Sequence, residues 1–257
     1  MDSQEIYSRV SKHYSAAARG SDIAHGASVA KAFGYSEKEL ASIPKESNLG
    51  LSCGNPLAAA TIKEALGPKG RAIGVDMNKD MLAKAQRLKD ESGKTNIEFV
   101  ESFISKISLS SGIADCITSN CVINLVPQDE KQQVFDEIFR LLKPGGRVAL
   151  SDILARKPLP EAIRQSTSLY VGCIAGASQV SEYEGFLMNA GFTDILITDD
   201  DADLNVYFEA DQGNCCSTEP NQTEACCSDD ASSDLRGLEL NQWVGSFKIY
   251  AVKALDA

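Results

Sequence analysis

Residues 114–153 read ADCITSNCVINLVPQDEKQQVFDEIFRLLKPGGRVALSDI, and this stretch decides the fold. ADCITSN (114–120) has the apolar and β-branched content of a strand. In the next segment Val134, Phe135, Ile138 and Leu142 recur at helical spacing, and Pro144-Gly145-Gly146 stops the helix before RVALSDI (147–153), a second strand. Upstream the same alternation holds. RAIGVD (71–76) reads as a buried strand, Asn78 as the N-cap of a helix with Met81, Leu82, Ala85 and Leu88 on one face, and NIEFVES (96–102) as another strand. Strands alternating with helices through short connections predict an α/β protein with a mainly parallel sheet covered on both faces.

The flanks are more varied. QEIYSRVSKHYSAAAR (4–19) places Ile6, Val10 and Tyr14 on one side of an amphipathic helix. EAIRQSTSLYVGCIAGA (161–177) predicts one helix, and SEYEGFLMNAGF (181–192) a second, with Ser181 and Glu184 as a capping box and Gly191 as its stop. TDILIT, NVYFEA and GSFKIYAVK close the chain as strands. DQGNCCSTEPNQTEACCSDDASSD (211–234) is acidic and nearly without large apolar residues, the composition of a mobile loop. Three regions follow: a helical arm (1–45), a strand–helix core (46–157) and a C-terminal region (158–257) with the acidic loop at 210–235.

The chain has 257 residues and a net charge of −11, from 36 acidic against 25 basic side chains. That balance disfavours a nucleic-acid partner, which is bound by clustered Lys and Arg. No run is long enough for a membrane span and the start lacks a secretion signal, so the expected location is cytoplasmic. The eight cysteines are the most informative residues, because reduced compartments use thiols mainly for metals or chemistry. The histidines, His13 and His25, lie apart from any acidic pair and read as surface or cap residues.

In open parallel sheets a ligand sits beyond the carboxyl ends of the strands, and an acidic residue ending the second strand holds a ribose diol. Asp76 suits that role, with Met77 able to lie against an adenine ring; an ordinary helix-entry aspartate is the competing reading. GRAIGVDMNKDMLAKAQ, LSCGNP and the stretch from 114 to 153 extended to Leu154 together resemble the arsenite methyltransferases, a branch of the class I enzymes that use S-adenosylmethionine. The likeness covers roughly residues 45–195 and the final strand, and SNCVINLVP is its most specific motif. It implies a Rossmann-like methyltransferase sheet, with Asp76, Met77, Ile104 and Asn120 around the cofactor. The acidic residue usual after Ile104 in that family is here Ser105.

The resemblance breaks at one place. After LSCGNPLAAATIKE (51–64) the family continues with the first strand, which lies at the centre of the sheet, and a glycine-rich turn. Here Glu64 runs straight into Ala65-Leu66-Gly67. Neither GLSCGN (50–55) nor GPKGRAIG (67–74) follows a strand and opens a helix, as such a turn must. A sheet without that strand is left with unpaired edges unless another segment fills the gap.

Trivalent arsenic is soft, takes three sulfur ligands in a pyramid, and keeps a lone pair on the open side. By the resemblance, Cys53, Cys121 and Cys173 are its ligands and carry the reaction; buried thiols with no role are the alternative. Cys116 reads as core. The pairs Cys215-Cys216 and Cys226-Cys227 lack zinc-site spacing and read as accessory sites for capturing a metalloid. The N-terminal segment has no further cysteine to reset the site, which implies glutathione or thioredoxin as reductant. The sequence thus points to methylation of trivalent arsenic by S-adenosylmethionine. Two alternatives remain: a silent metalloid-binding chain that has lost its cofactor cradle, and a chain that does not fold stably.

Overall fold

The computed structural model describes residues 2–20, 23–49, 51, 53–56, 70–205 and 239–256. The acidic loop with its four cysteines, nearly all of NVYFEA, and residues 57–69 of the abridged centre lie outside the described residues.

Helix α1 (Ser3–Arg19) starts on Asp2, whose carboxylate accepts the Glu5 N–H at 2.8 Å, and buries Ile6 and Val10 as the sequence predicts. Two shorter helices, α2 (Ile23–Ala32) and α3 (Glu37–Ala41), complete the arm. Strand β1 (Ala72–Asp76) then leads into α4 (Lys79–Ser92), capped by the Asn78 side chain on Met81 N–H, and β2 (Ile97–Glu101) returns parallel to β1. The second strand–helix–strand unit is β3 (Ala114–Asn120), α5 (Lys131–Leu141) and β4 (Leu142–Ala155). After it come α6 (Glu161–Gln165), α7 (Thr167–Val171), α8 (Val180–Ala190), β5 (Thr193–Asp199) and β6 (Val244–Val252).

The strands form two sheets. One is β1-β2; the other has the order β3-β4-β6-β5. Among the described residues no strand joins β1 to β3, and each pairs with a single strand; the shortened centre itself, where a joining segment is expected to be lacking, lies outside those residues. The larger sheet is mixed where a mainly parallel one is expected. β3 runs parallel to β4, but β6 is antiparallel to both β4 and β5, because the chain returns along β6 between them.

Three local expectations are corrected. Lys143–Gly146 lies within β4 instead of between helix and strand: Gly145 N–H donates to Lys253 O, and the pairing with β3 shifts register between Ala114 and Cys116. The single helix expected over 161–177 is two, broken at Ser166, whose extended backbone leaves its hydroxyl to cap α7 at Leu169 N–H. The capping box of α8 is Gln179 with Glu182, two residues ahead of the expected pair, while Gly191 stops the helix with φ 102°.

β4 lies between β3 and β6 with both faces covered. Val148, Leu150 and Leu154 pack with Val134, Phe135 and Ile138 of α5 and Tyr183 and Leu187 of α8. Ile153 faces the other layer with Ile6, Val10, Leu169 and three cysteines. Strands covered on both faces are protected by packing as well as pairing, whereas every residue of β1 is only half-buried. Amides of β4 and β6 are therefore expected to exchange hydrogen only through global unfolding, and those of β1 and β2 through a lower-energy opening. Equal protection of the two sheets in a native-state exchange series would show that they unfold as one unit.

Candidate functional site

Cys53, Cys121 and Cys173 come from three distant parts of the chain and meet in one buried cluster, at 0%, 4% and 3% exposure. Cys121 follows the last residue of β3, and its N–H still bonds Ser151 O on β4 at 2.9 Å. Its backbone then turns left-handed, with φ 57°, as does Cys173 with φ 65°. That conformation costs an ordinary residue on the order of 1–2 kcal/mol, and here it aims two side chains that a continued strand or helix would send elsewhere. Cys173 is held by its N–H on Tyr170 O at 2.9 Å, by Asn124 Nδ2 on its carbonyl at 3.2 Å, and by its own thiol on Cys121 O at 2.9 Å.

Cys53 rides on a turn fixed by Asn120. The Asn120 Oδ1 accepts the Cys53 N–H at 3.3 Å and faces its thiol at 3.6 Å, while Nδ2 donates to Gly54 O at 2.7 Å and to the Tyr35 hydroxyl at 3.2 Å. Ser246 of β6 donates to Cys53 O. A Cβ at Gly54 would sit 2.6 Å from Ser151 Oγ, so only glycine lets this turn lie against β4.

A polar network that sequence reasoning missed backs the thiols. Asp152, 1% exposed, accepts from Tyr183 OH at 2.7 Å, Asn124 Nδ2 at 3.0 Å and Ile153 N–H at 3.0 Å. A carboxylate oxygen of Asp152 and the Cys53 and Cys121 sulfurs lie within 4.8 Å of one another. Burial pushes Asp152 up to about 6, against the lowering effect of the Tyr183 bond and the Lys131 charge. Lys131, fully buried, donates to Gly176 O and to Ser178 Oγ at 2.9 Å, and burial brings it down to about 8. From α1, the Tyr14 hydroxyl reaches the Cys173 thiol, and burial raises it far above the ordinary phenol value. An aspartate within a mostly apolar strand buried on both faces, ALSDIL, is the signal that would have found this network.

The thiols are raised as well. Burial pushes Cys53 up to about 11 and Cys121 well above the ordinary thiol; Cys173 rises through its bond with Cys121 first and burial second. At neutral pH all three are protonated, poor nucleophiles until a soft centre displaces the proton. Cys116, expected in the core, is half-buried and lies outside the cluster. His13 is exposed on α1.

The residues expected around the cofactor divide. Asp76 ends β1 half-buried, its carboxylate accepting Asn78 N–H at 2.8 Å and raised by burial. Met77 packs against the layer that holds the three cysteines, whereas Ile104 packs against the opposite one. Asn120 is engaged with the Cys53 turn. Asp76 and Met77 thus lie together at the end of β1, next to the layer that holds the thiols. Helix α1 is tied to the same place: Asn78 Nδ2 donates to Ser11 O at 2.8 Å and to Ser15 Oγ at 3.0 Å.

Residues 44–191, more than half of the chain, match a family model described as a methyltransferase domain, and the chain belongs to that family. It is 35% identical over 195 residues to the arsenite methyltransferase of Halobacterium salinarum, covering 68% of this chain and 49% of that protein. With the arsenite methyltransferase of Homo sapiens it shares 34% identity over 154 residues, covering 56% and 40%. The chain therefore spans about half the length of these relatives or less. The solved structure of the arsenic(III) S-adenosylmethionine methyltransferase from Chlamydomonas reinhardtii superposes with a TM-score of 0.52 at 23% identity, covering 88% of this chain and 73% of that one, a likeness of fold.

Two outcomes follow. All four of these thiols are raised, but Cys116 is only half-buried while the other three are closed off, so a short pulse of iodoacetamide is expected to label Cys116 before Cys53, Cys121 or Cys173, with labelling of Cys53 rising as pH climbs towards about 11. Peptide mapping that finds Cys121 labelled first would contradict this. The left-handed backbone predicts that Cys121→Gly is more stable than Cys121→Ala by about 1 kcal/mol in urea unfolding; the reverse order would mean that no strain is held there.

Proposed function

We propose that this chain binds trivalent arsenic on Cys53, Cys121 and Cys173 and methylates it from S-adenosylmethionine, the activity named for its relatives. The observation that carries the reading is the convergence of three thiols in one closed apolar layer beside the end of β1. Loading forms three As–S bonds to the protein and breaks three bonds from arsenic to its carrier thiols or hydroxides. The cysteine protons leave with the displaced groups. Held in this way, arsenic turns its lone pair to the open side, so no general base is needed, and orientation supplies the catalytic advantage.

Asp76 would hold the ribose of the cofactor and Met77 its adenine, with Ile104 and Asn120 as outer contacts. When bound, S-adenosylmethionine supplies the electrophilic methyl group. The arm (1–45) closes the thiol layer through Ile6, Val10 and Tyr14 and keeps water from the sulfurs. The core (46–157) provides Cys53 and Cys121, and the region from 158 to 257 provides Cys173. A glutathione- or thioredoxin-type reductant, in a reducing compartment such as the cytoplasm, would keep the cysteines free. Cys215, Cys216, Cys226 and Cys227 would capture the metalloid for detoxification.

The test uses the full chain with those four loop cysteines changed to serine. One equivalent of arsenite should bind, Cys121→Ser should abolish that binding, and titration calorimetry should show micromolar affinity for S-adenosylmethionine. Unchanged arsenite affinity in Cys121→Ser would remove the thiol assignment. Arsenite uptake without cofactor binding would favour the second reading, a metalloid-sequestering chain, for which the divided sheet is the specific support.

A further inference from the structure

Cys53, Cys121 and Asp152 are the one set of potential metal donors that lie within 4.8 Å of one another among the described residues. Arsenic bound by three thiolates is uncharged and has no use for a carboxylate. Yet Asp152 is buried beside two sulfurs, and the groups that hydrogen-bond it are neutral. A buried carboxylate with no cation in contact is costly. We propose that the thiol pocket also binds a thiophilic divalent cation, zinc or cadmium, through the sulfurs of Cys53 and Cys121 and the carboxylate of Asp152.

The donor chemistry fits. Zinc takes thiolate sulfur at about 2.3 Å and carboxylate oxygen at about 2.0–2.2 Å in a four-coordinate shell, so the three donors need close in by only about an ångström. Cys53 and Cys121 each lose a proton as the metal–sulfur bonds form, and both protons leave to solvent. Two thiolates, one carboxylate and one divalent cation sum to a single negative charge, which the field of Lys131 on Asp152 offsets. The bonds from Tyr183, Asn124 and Ile153 N–H orient the carboxylate as the second shell of a metal ligand does. Cys173 stays outside the set, because its sulfur is not among the donors that lie within 4.8 Å of one another. The fourth position is open to water or to an incoming thiol. A divalent cation would thus compete with arsenic for two of its three sulfurs and leave the third unused.

The test again uses the full chain with the loop cysteines changed to serine, with cobalt(II) and cadmium(II) as probes and arsenite measured in parallel. One equivalent of cobalt should give a tetrahedral visible spectrum whose sulfur-to-cobalt band has the intensity of two thiolates, and that spectrum should survive in Cys173→Ser. In Asp152→Asn the ratio of cadmium to arsenite affinity should fall at least about tenfold. The cobalt spectrum of the unaltered site needs no substitution at Asp152 and so stands even if that variant folds poorly. An octahedral or absent cobalt spectrum, a three-thiolate intensity, or an unchanged affinity ratio would overturn the proposal. Because arsenite is titrated separately, a chain that binds cobalt but not arsenite keeps this inference while losing the arsenic reading.

Discussion

The parallel register of β3 on β4 governs the site. The pair ends at Asn120 opposite Ser151, and the next amide, Cys121 N–H, still bonds Ser151 O. That last bond fixes where the strand stops and the left-handed turn begins, hence where the Cys121 sulfur points. On the opposite strand the next residue is Asp152, and on the near side Asn120 reaches back to hold the Cys53 turn. Because strand side chains alternate faces, a slip of one residue would turn Asn120 and Ser151 to the wrong sides and scatter the three sulfurs.

Around that pairing the molecule is uneven. β4 is packed on both faces, with α5 and α8 on one and the arm, α7 and the cysteines on the other. β1 and β2 stand apart as a two-stranded sheet, joined to the rest through α4, Asn78 and the arm. The three thiols therefore belong to the most deeply packed part of the fold, and the end of β1 to the least. The end of β1 is thus carried by a two-stranded sheet whose outer edges are both without a partner among the described residues, while the three sulfurs lie against the larger, more deeply packed one.

Much of this was legible in the sequence, for identifiable reasons. The helical spacing of Val134, Phe135 and Ile138 and the cap at Asn78 are local signals, and the structure keeps both. The break at Ser166 was hidden because serine is tolerated in a helical pattern until its hydroxyl finds a free N–H. The three cysteines were singled out by their motif contexts, and the chain brings them together. Asp152, Asn124 and Lys131 were missed, and Tyr14 was read only as part of the apolar side of α1, because their roles depend on contacts 28 or more positions apart, which periodicity does not report. Asn120 was read as part of the cofactor pocket, and its bonds to Cys53 and Gly54 were not legible in the sequence. A divided sheet is what the shortened centre leads one to expect, but the mixed direction of the larger sheet is not, since nothing local to GSFKIYAVK says which neighbours it will join.

The double use of Asn78 has a practical side. One amide starts α4 through its oxygen and fastens α1 through its nitrogen. A fusion tag or trimming at the amino terminus that disturbs Ser11 or Ser15 would be transmitted, through a single side chain, to the loop that follows Asp76. Preparations of this protein that differ only in their leading residues would then differ in how the end of β1 is held, without any change in β1 itself.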